Sequence, residues 1–142
     1  MSRTHIIENV MTRDPAIVAP NDPVRVAVER MRARGCRRLP VVENGKLVGI
    51  ISDRDLRRAT NSPLVLHERW HDEFLLNTIP VRACMSVNPV TVTPRTLIAD
   101  AARLMRDRKF GGLPAVDDDT LVGIVTETDL LSYLIKILEV GS

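Results

Sequence analysis

Aromatic residues make up only 3% of this 142-residue chain: one Trp, one Tyr and two Phe. So few rings give little to stack on exposed bases, which speaks against a platform for single-stranded nucleic acid. Charge leaves no nucleic-acid footprint either. Twenty Lys and Arg against 18 Asp and Glu give a net charge of +2, well short of a basic stripe. The two cysteines, Cys36 and Cys84, lack any Cys-x-x-Cys spacing; they read as reduced thiols, not as a disulfide framework. No apolar run approaches the ~20 residues of a membrane span, and the opening MSRTHIIENV holds no signal-peptide core. A cytoplasmic, membrane-free protein is the expectation. Also missing are a Gly-x-Gly-x-x-Gly fingerprint, a Walker phosphate loop and a nucleophile elbow.

What remains is ordinary globular material, 44% hydrophobic and 27% charged, arranged in an unusual way. Residues 47–56 read LVGIISDRDL, and residues 121–130 read LVGIVTETDL. The offset of 74 extends without a gap from 10–56 onto 84–130, with about 17 of 47 positions identical, far above chance for a fixed register. The chain is a duplicated unit. Each half is marginal alone, so the two are expected to share one core.

Within the first repeat, residues 16–19 form a short apolar segment between Pro15 and Pro20, expected as a strand. Asp22-Pro23 looks like a helix cap followed by proline. Val24, Ala27, Val28 and Met31 then share one helix face, and Gly35 is placed to end that helix. Two β-branched runs around Leu39 and Ile50 flank Asn44-Gly45, a hairpin turn. A helix follows Ser52. The second repeat matches step for step, with a strand at 90–93, Thr96 as cap and a stripe of Ile98, Ala101, Ala102 and Met105. Its hairpin turns at residues 117–119, and a last helix follows Thr126 to about Leu138.

The predicted architecture is α/β (α+β): two β-α-β-β-α repeats related by a pseudo-two-fold axis. Its segments are an amino-terminal arm (1–9), repeat 1 (10–60), a connector (61–83) and repeat 2 (84–138). The connector carries Leu64, Leu66, Trp70, Phe74, Leu75 and Leu76 and is expected to be partly helical. The last helix has more apolar residues (Leu130, Leu131, Leu134, Ile135, Ile137, Leu138) than one small sheet can cover. That surplus points to a homodimer.

Both repeats carry Gly-apolar-apolar-[Ser/Thr]-x-x-Asp, as Ser52…Asp55 and Thr126…Asp129. One chemistry it satisfies is the capping box, in which hydroxyl and acid each hold a backbone amide at a helix start. A second is nucleotide binding. Free amides and a positive dipole end suit a phosphate, a hydroxyl can donate to it, and a carboxylate can take both hydroxyls of a ribose.

Around this motif stand Leu-Pro-[Val/Ala]-Val and an opening Met-[Thr/Ser]-x-x-Pro, each present twice. The ordered pieces are VMTRDPAIVAP, CRRLPVV and LVGIISDRDL, then CMSVNPVTVTP, FGGLPAV and LVGIVTETDL. Together they resemble the CBS-domain family, named after cystathionine β-synthase. The resemblance implies a non-enzymatic regulatory module with clefts for adenosine-containing ligands: AMP, ADP, ATP or S-adenosylmethionine. It implies no required cofactor beyond such a regulatory ligand, and an unidentified protein target. It also implies that one cleft combines Ile124, Thr126, Thr128 and Asp129 with Ala16, Ile17, Arg37 and Arg38. The other combines Ile50, Ser52, Arg54 and Asp55 with Val90, Thr91, Gly111 and Gly112. Because guanidinium forks fit phosphate oxygens, the Asp129 set, with Arg37 and Arg38, is expected to bind phosphate more tightly.

Two further functions compete. A protein-interaction scaffold with degenerate clefts would use the apolar connector and last helix. A zinc hydrolase would use His67-Glu68-x-x-His71, a His-Glu-x-x-His match. Against zinc, residues 74–125 contain neither Glu nor His to supply a third ligand.

Overall fold

The computed structural model describes residues 5–60 and 69–140; for residues 60 and 69–73 it describes the backbone. Among the described residues the strands are β1 (Thr12–Arg13), β2 (Arg38–Glu43), β3 (Lys46–Ser52), β4 (Ser86–Val87), β5 (Gly112–Asp117) and β6 (Thr120–Thr126). The helices are α1 (Val24–Arg34), α2 (Asp53–Thr60), α3 (Arg69–Thr78), α4 (Ile98–Arg108) and α5 (Glu127–Val140). Short 3-10 turns at Ile7–Asn9 and Val81–Ala83 precede β1 and β4.

The mixed α/β class expected from the pattern is what forms. The compact units, however, do not follow the repeats as they run in sequence. One unit is Met1–Pro15 with Val90–Ser142, and the other is Ala16–Pro89. The cause lies in β1 and β4. In the first unit β1 pairs antiparallel with β6, placing Thr12 opposite Ile124 and Arg13 opposite Gly123. In the second, β4 pairs with β3, Ser86 opposite Ile50 and Val87 opposite Gly49. Each repeat thus gives its opening Met-[Thr/Ser] segment to the hairpin of the other repeat.

Glycine makes this exchange possible. A Cβ on Gly123 would lie 2.8 Å from Met11 Sδ and 2.9 Å from the Thr12 carbonyl oxygen. A Cβ on Gly49 would lie 2.8 Å from both Met85 Sδ and the Ser86 carbonyl oxygen. The glycine that opens each repeated motif is therefore needed for close backbone approach.

Each unit has a core of its own. Ile7, Met11, Val92, Ile98, Ala101, Met105, Leu113, Ala115 and Val125 form one. Val18, Val24, Ala27, Met31, Leu39, Val41, Ile51, Leu56 and Val81 form the other. The exchanged segments supply part of each (Ile7 and Met11 to the first, Val81 to the second), and this lets a small unit bury enough apolar surface. Of the stripes expected on α1 and α4, Val24, Ala27 and Met31, then Ile98, Ala101 and Met105 are buried, while Val28 and Ala102 are half-buried.

Local expectations fared unevenly. Both hairpins form, with residues 44–45 and 118–119 all at positive φ in their two-residue turns. Asn-Gly suits that geometry, while Asp118 and Asp119 adopt it at some steric cost. Gly35 ends α1 at φ 64°, and Lys109 ends α4 at φ 57°. The strands expected at residues 16–19 and 90–93 shrink to single parallel bridges, Val18 with Val41 and Val92 with Ala115. Proline on both sides of 16–19 removes the donors a longer ladder requires.

The caps expected from Asp22 and Thr96 do not form. Asp22 instead accepts from the Ala19 amide at 2.9 Å, and Thr96 from the Thr93 amide at 2.9 Å. The first amides of α1 and α4 find backbone partners: Val24 donates to the Ile79 carbonyl and Ile98 to the His5 carbonyl. The connector is partly helical as expected, since α3 falls within it. Its Leu64 and Leu66, and the side chain of Trp70, lie outside the described residues.

Candidate functional site

In the unit containing β3, the strand ends at Ser52 and α2 starts at once. The Ser52 amide donates to Asp55 Oδ2 at 2.8 Å, and the Asp55 amide donates to Ser52 Oγ at 3.2 Å. This is a reciprocal capping box. The unit containing β6 repeats it: the Thr126 amide donates to Asp129 Oδ2 at 2.9 Å, and the Asp129 amide donates to Thr126 Oγ1 at 3.3 Å. The loop before each Leu-Pro supplies a further acceptor. Asp53 N–H donates to the Arg37 carbonyl at 2.8 Å, and Glu127 N–H to the Gly111 carbonyl at 3.1 Å. That leaves the amides of Arg54 and Thr128, between the two bonded ones, without a partner among the described residues. Each helix start thus presents one open amide beside a half-buried, fixed carboxylate, at the positive end of the helix dipole.

The two copies differ in detail. Asp129 receives two more donors, the Thr126 hydroxyl at 3.1 Å and the Thr12 hydroxyl of β1 at 3.3 Å to Oδ1. Asp55 faces Cys84 instead, whose thiol is pushed up from its ordinary range by burial first and by the Asp55 charge second. Asp129 also lines an open groove of about 820 Å³ with His5, Asn9, Tyr133 and Lys136. There the His5 ring meets Tyr133 edge-on, centroids 5.8 Å apart, and the two side chains are hydrogen-bonded.

The family described as the CBS domain matches residues 7–62 and 81–136. The chain belongs to the CBS-domain family. A CBS domain-containing protein of Dictyostelium discoideum is 39% identical over 136 residues, covering 94% of each chain. The crystal structure of CBSX2 (a CBS-pair protein of Arabidopsis thaliana) in complex with AMP superposes with a TM-score of 0.78. It is 29% identical, covering 94% of this chain and 98% of that one. The CBS domain pair of protein MJ0100, crystallised with 5-methylthioadenosine and S-adenosyl-L-methionine, gives a TM-score of 0.76 at 25% identity, over 92% of this chain and 96% of that one.

Within this CBS pair, the residues implicated by sequence divide between the units. Ile124 is buried in β6, Thr126 half-buried at its end, Thr128 exposed and Asp129 half-buried in α5. The same unit holds Val90, Thr91, Gly111 and Gly112, with Gly112 opposite Thr126 in the β5–β6 ladder. The other unit brings Ile50, Ser52, Arg54 and Asp55 together with Ala16, Ile17, Arg37 and Arg38. There Arg38 pairs with Ser52 across the β2–β3 ladder, and Arg30 donates to the Ile17 carbonyl.

Thr12, Ser86, Gly49 and Gly123 were not singled out as site-building residues by sequence. A signal existed, since Met-[Thr/Ser] and the motif glycine occur together in both repeats. His67, Glu68 and the side chain of His71 lie outside the described residues, so the zinc alternative falls there too. No described helix is long and apolar enough to cross a membrane.

Proposed function

We propose that this CBS pair is a non-enzymatic, cytoplasmic regulatory module that binds adenosine-containing ligands through Asp55 and Asp129. The observation that carries the proposal is the doubled helix start, where a carboxylate is fixed beside an open amide. The carboxylate suits a ribose diol, and the amide, at the positive end of the helix dipole, suits an anion such as a phosphate or the carboxylate of a methionine tail. AMP in Arabidopsis CBSX2 and S-adenosyl-L-methionine in the MJ0100 pair support the ligand class. In this proposal the ligand at Asp129 is held by Ile124, Thr126 and Thr128 together with Val90, Thr91, Gly111 and Gly112 of the same unit. The Asp55 set groups Ile50, Ser52 and Arg54 with Ala16, Ile17, Arg37 and Arg38 of its own unit, so the guanidinium groups proposed for a phosphate stand there. Regulation of a protein target then requires two conformations with different ligand affinity.

A thermal-shift panel of AMP, ADP, ATP and S-adenosylmethionine tests the proposal. At 100 times its dissociation constant, a bound ligand is expected to add about 2.7 kcal/mol of stability. No shift with any member would refute adenosyl binding and leave the capping boxes as structural devices only.

The module is also proposed to act as a homodimer through α5. Leu131, Leu134, Ile135 and Leu138 fall at helical spacing on one face and are 50–62% exposed. A second copy would cover that stripe symmetrically. Sedimentation at micromolar concentration is expected to give a dimer, and Leu134→Glu with Leu138→Glu a monomer. A monomeric unmodified protein would overturn this part.

A further inference from the structure

We infer that Thr12 lowers the affinity of Asp129 for a ribose by occupying the carboxylate oxygen that a sugar diol would use. The inference rests on the adenosyl-binding proposal and adds a specificity-determining residue to it.

An ionised carboxylate offers about four lone-pair sites. At Asp129, Oδ2 already accepts from the Thr126 amide at 2.9 Å and the Thr126 hydroxyl at 3.1 Å. Oδ1 accepts from the Thr12 hydroxyl at 3.3 Å, and the same hydroxyl lies 3.5 Å from Oδ2. A ribose brings two hydroxyl donors, and one of them must displace Thr12. At Asp55 the accounting differs. Oδ2 accepts from the Ser52 amide at 2.8 Å, and Oδ1 has no donor among the described residues. Ser86 stands where Thr12 stands, 74 residues on, yet no hydrogen bond joins it to Asp55 among the described residues.

Thr12 cannot retreat with its backbone. It is paired with Ile124 in the β1–β6 ladder, and its carbonyl packs against Gly123. Only its side-chain torsion is free to swing the hydroxyl toward water, and Thr12 is exposed enough to allow this. The two carboxylates therefore differ in readiness, with Asp55 open to a diol and Asp129 guarded.

Isothermal titration with AMP tests this in single-site backgrounds. With Asp55→Ala removing the other site, Thr12→Val keeps the strand-forming shape and deletes the donor. It is expected to tighten AMP about fivefold, a fraction of a full charge-assisted hydrogen bond because the Thr12 contact is long. Thr12→Ser should leave the affinity near its starting value. The gain should be smaller with dAMP, which lacks one of the two competing hydroxyls, whereas a general loosening of the fold would affect both ligands alike. In an Asp129→Ala background, Thr12→Val should change nothing. If Thr12→Val leaves AMP binding unchanged or weakens it, Thr12 does not compete and the inference is overturned alone. If the unmodified protein and the Thr12→Val variant bind no AMP at all, the adenosyl proposal fails and takes the inference with it.

Discussion

Asp129→Ala is expected to abolish detectable AMP binding at its own helix start while leaving the Asp55 site titratable, and Asp55→Ala to do the converse. A carboxylate bonded to a ribose diol makes two charge-assisted hydrogen bonds, each worth about 1.5–3 kcal/mol. Losing both removes about 3 kcal/mol or more, a factor of over about 100 in dissociation constant. Asp129 also caps its helix through the Thr126 amide, so the variant is expected to lose about 1 kcal/mol of stability without ligand. The two effects separate cleanly in measurement. Chemical denaturation of the ligand-free protein reads the cap, and titration calorimetry well below the melting temperature reads the site. Asp129→Asn should retain an acceptor for the Thr126 amide yet bind AMP poorly, because a neutral amide makes weaker bonds to the diol. Equal AMP affinity in Asp129→Ala and the unmodified protein would exclude this carboxylate from ribose recognition.

Gly123→Ala should be among the most destabilising single changes in the chain. The added methyl would stand 2.9 Å from a backbone carbonyl, that of Thr12, and 2.8 Å from the sulfur of Met11. Methionine can move, but Met11 is only 8% exposed and the Thr12 carbonyl belongs to a paired strand. Overpacking of this kind costs about 1–3 kcal/mol. Gly49→Ala meets the same pair of obstacles at Met85 and Ser86 and should cost a similar amount. Urea denaturation checks both. Gly35→Ala is a useful contrast: its Cβ would meet nothing within 4 Å, and the cost there comes from a φ of 64° alone. If Gly123→Ala proved no more harmful than Gly35→Ala, β1 would have to be far looser than its pairing implies.

Much of the local structure was legible because it repeats with a short period. The α1 stripe of Val24, Ala27 and Met31 follows the helical spacing, and so does its copy in α4. Asn44-Gly45 and Gly35 announced their turns through backbone chemistry that few other residues tolerate. The boxes at Ser52…Asp55 and Thr126…Asp129 formed because every partner lies within one turn.

What escaped was non-local. A strand of two residues, such as β1 or β4, has no periodicity to detect, and nothing near Thr12 in the chain points to Ile124. The make-up of each core was hidden for the same reason. Without the exchange, neither unit had visible access to Ile7 and Met11 or to Val81. Asp22 and Thr96 had the right chemistry for caps but turned back to the Ala19 and Thr93 amides, since carbonyls of Ile79 and His5 had already filled the need. In the site, the motif carboxylates were readable, whereas the guard at Thr12 emerged only once β1 was placed.

The exchanged strands also order events in time. Ala16–Pro89 is an uninterrupted stretch, so on a ribosome that unit holds every partner it needs once Pro89 has emerged. The other unit is split around it, and Met11 and Thr12 must wait for Gly123 and Ile124, over a hundred residues downstream. In topological terms one half is an insert in the other. Closing so long a loop adds little entropic cost beyond a shorter one, and less still when the intervening chain has already folded. The continuous unit is thereby positioned to fold first and bring the two ends of its host together.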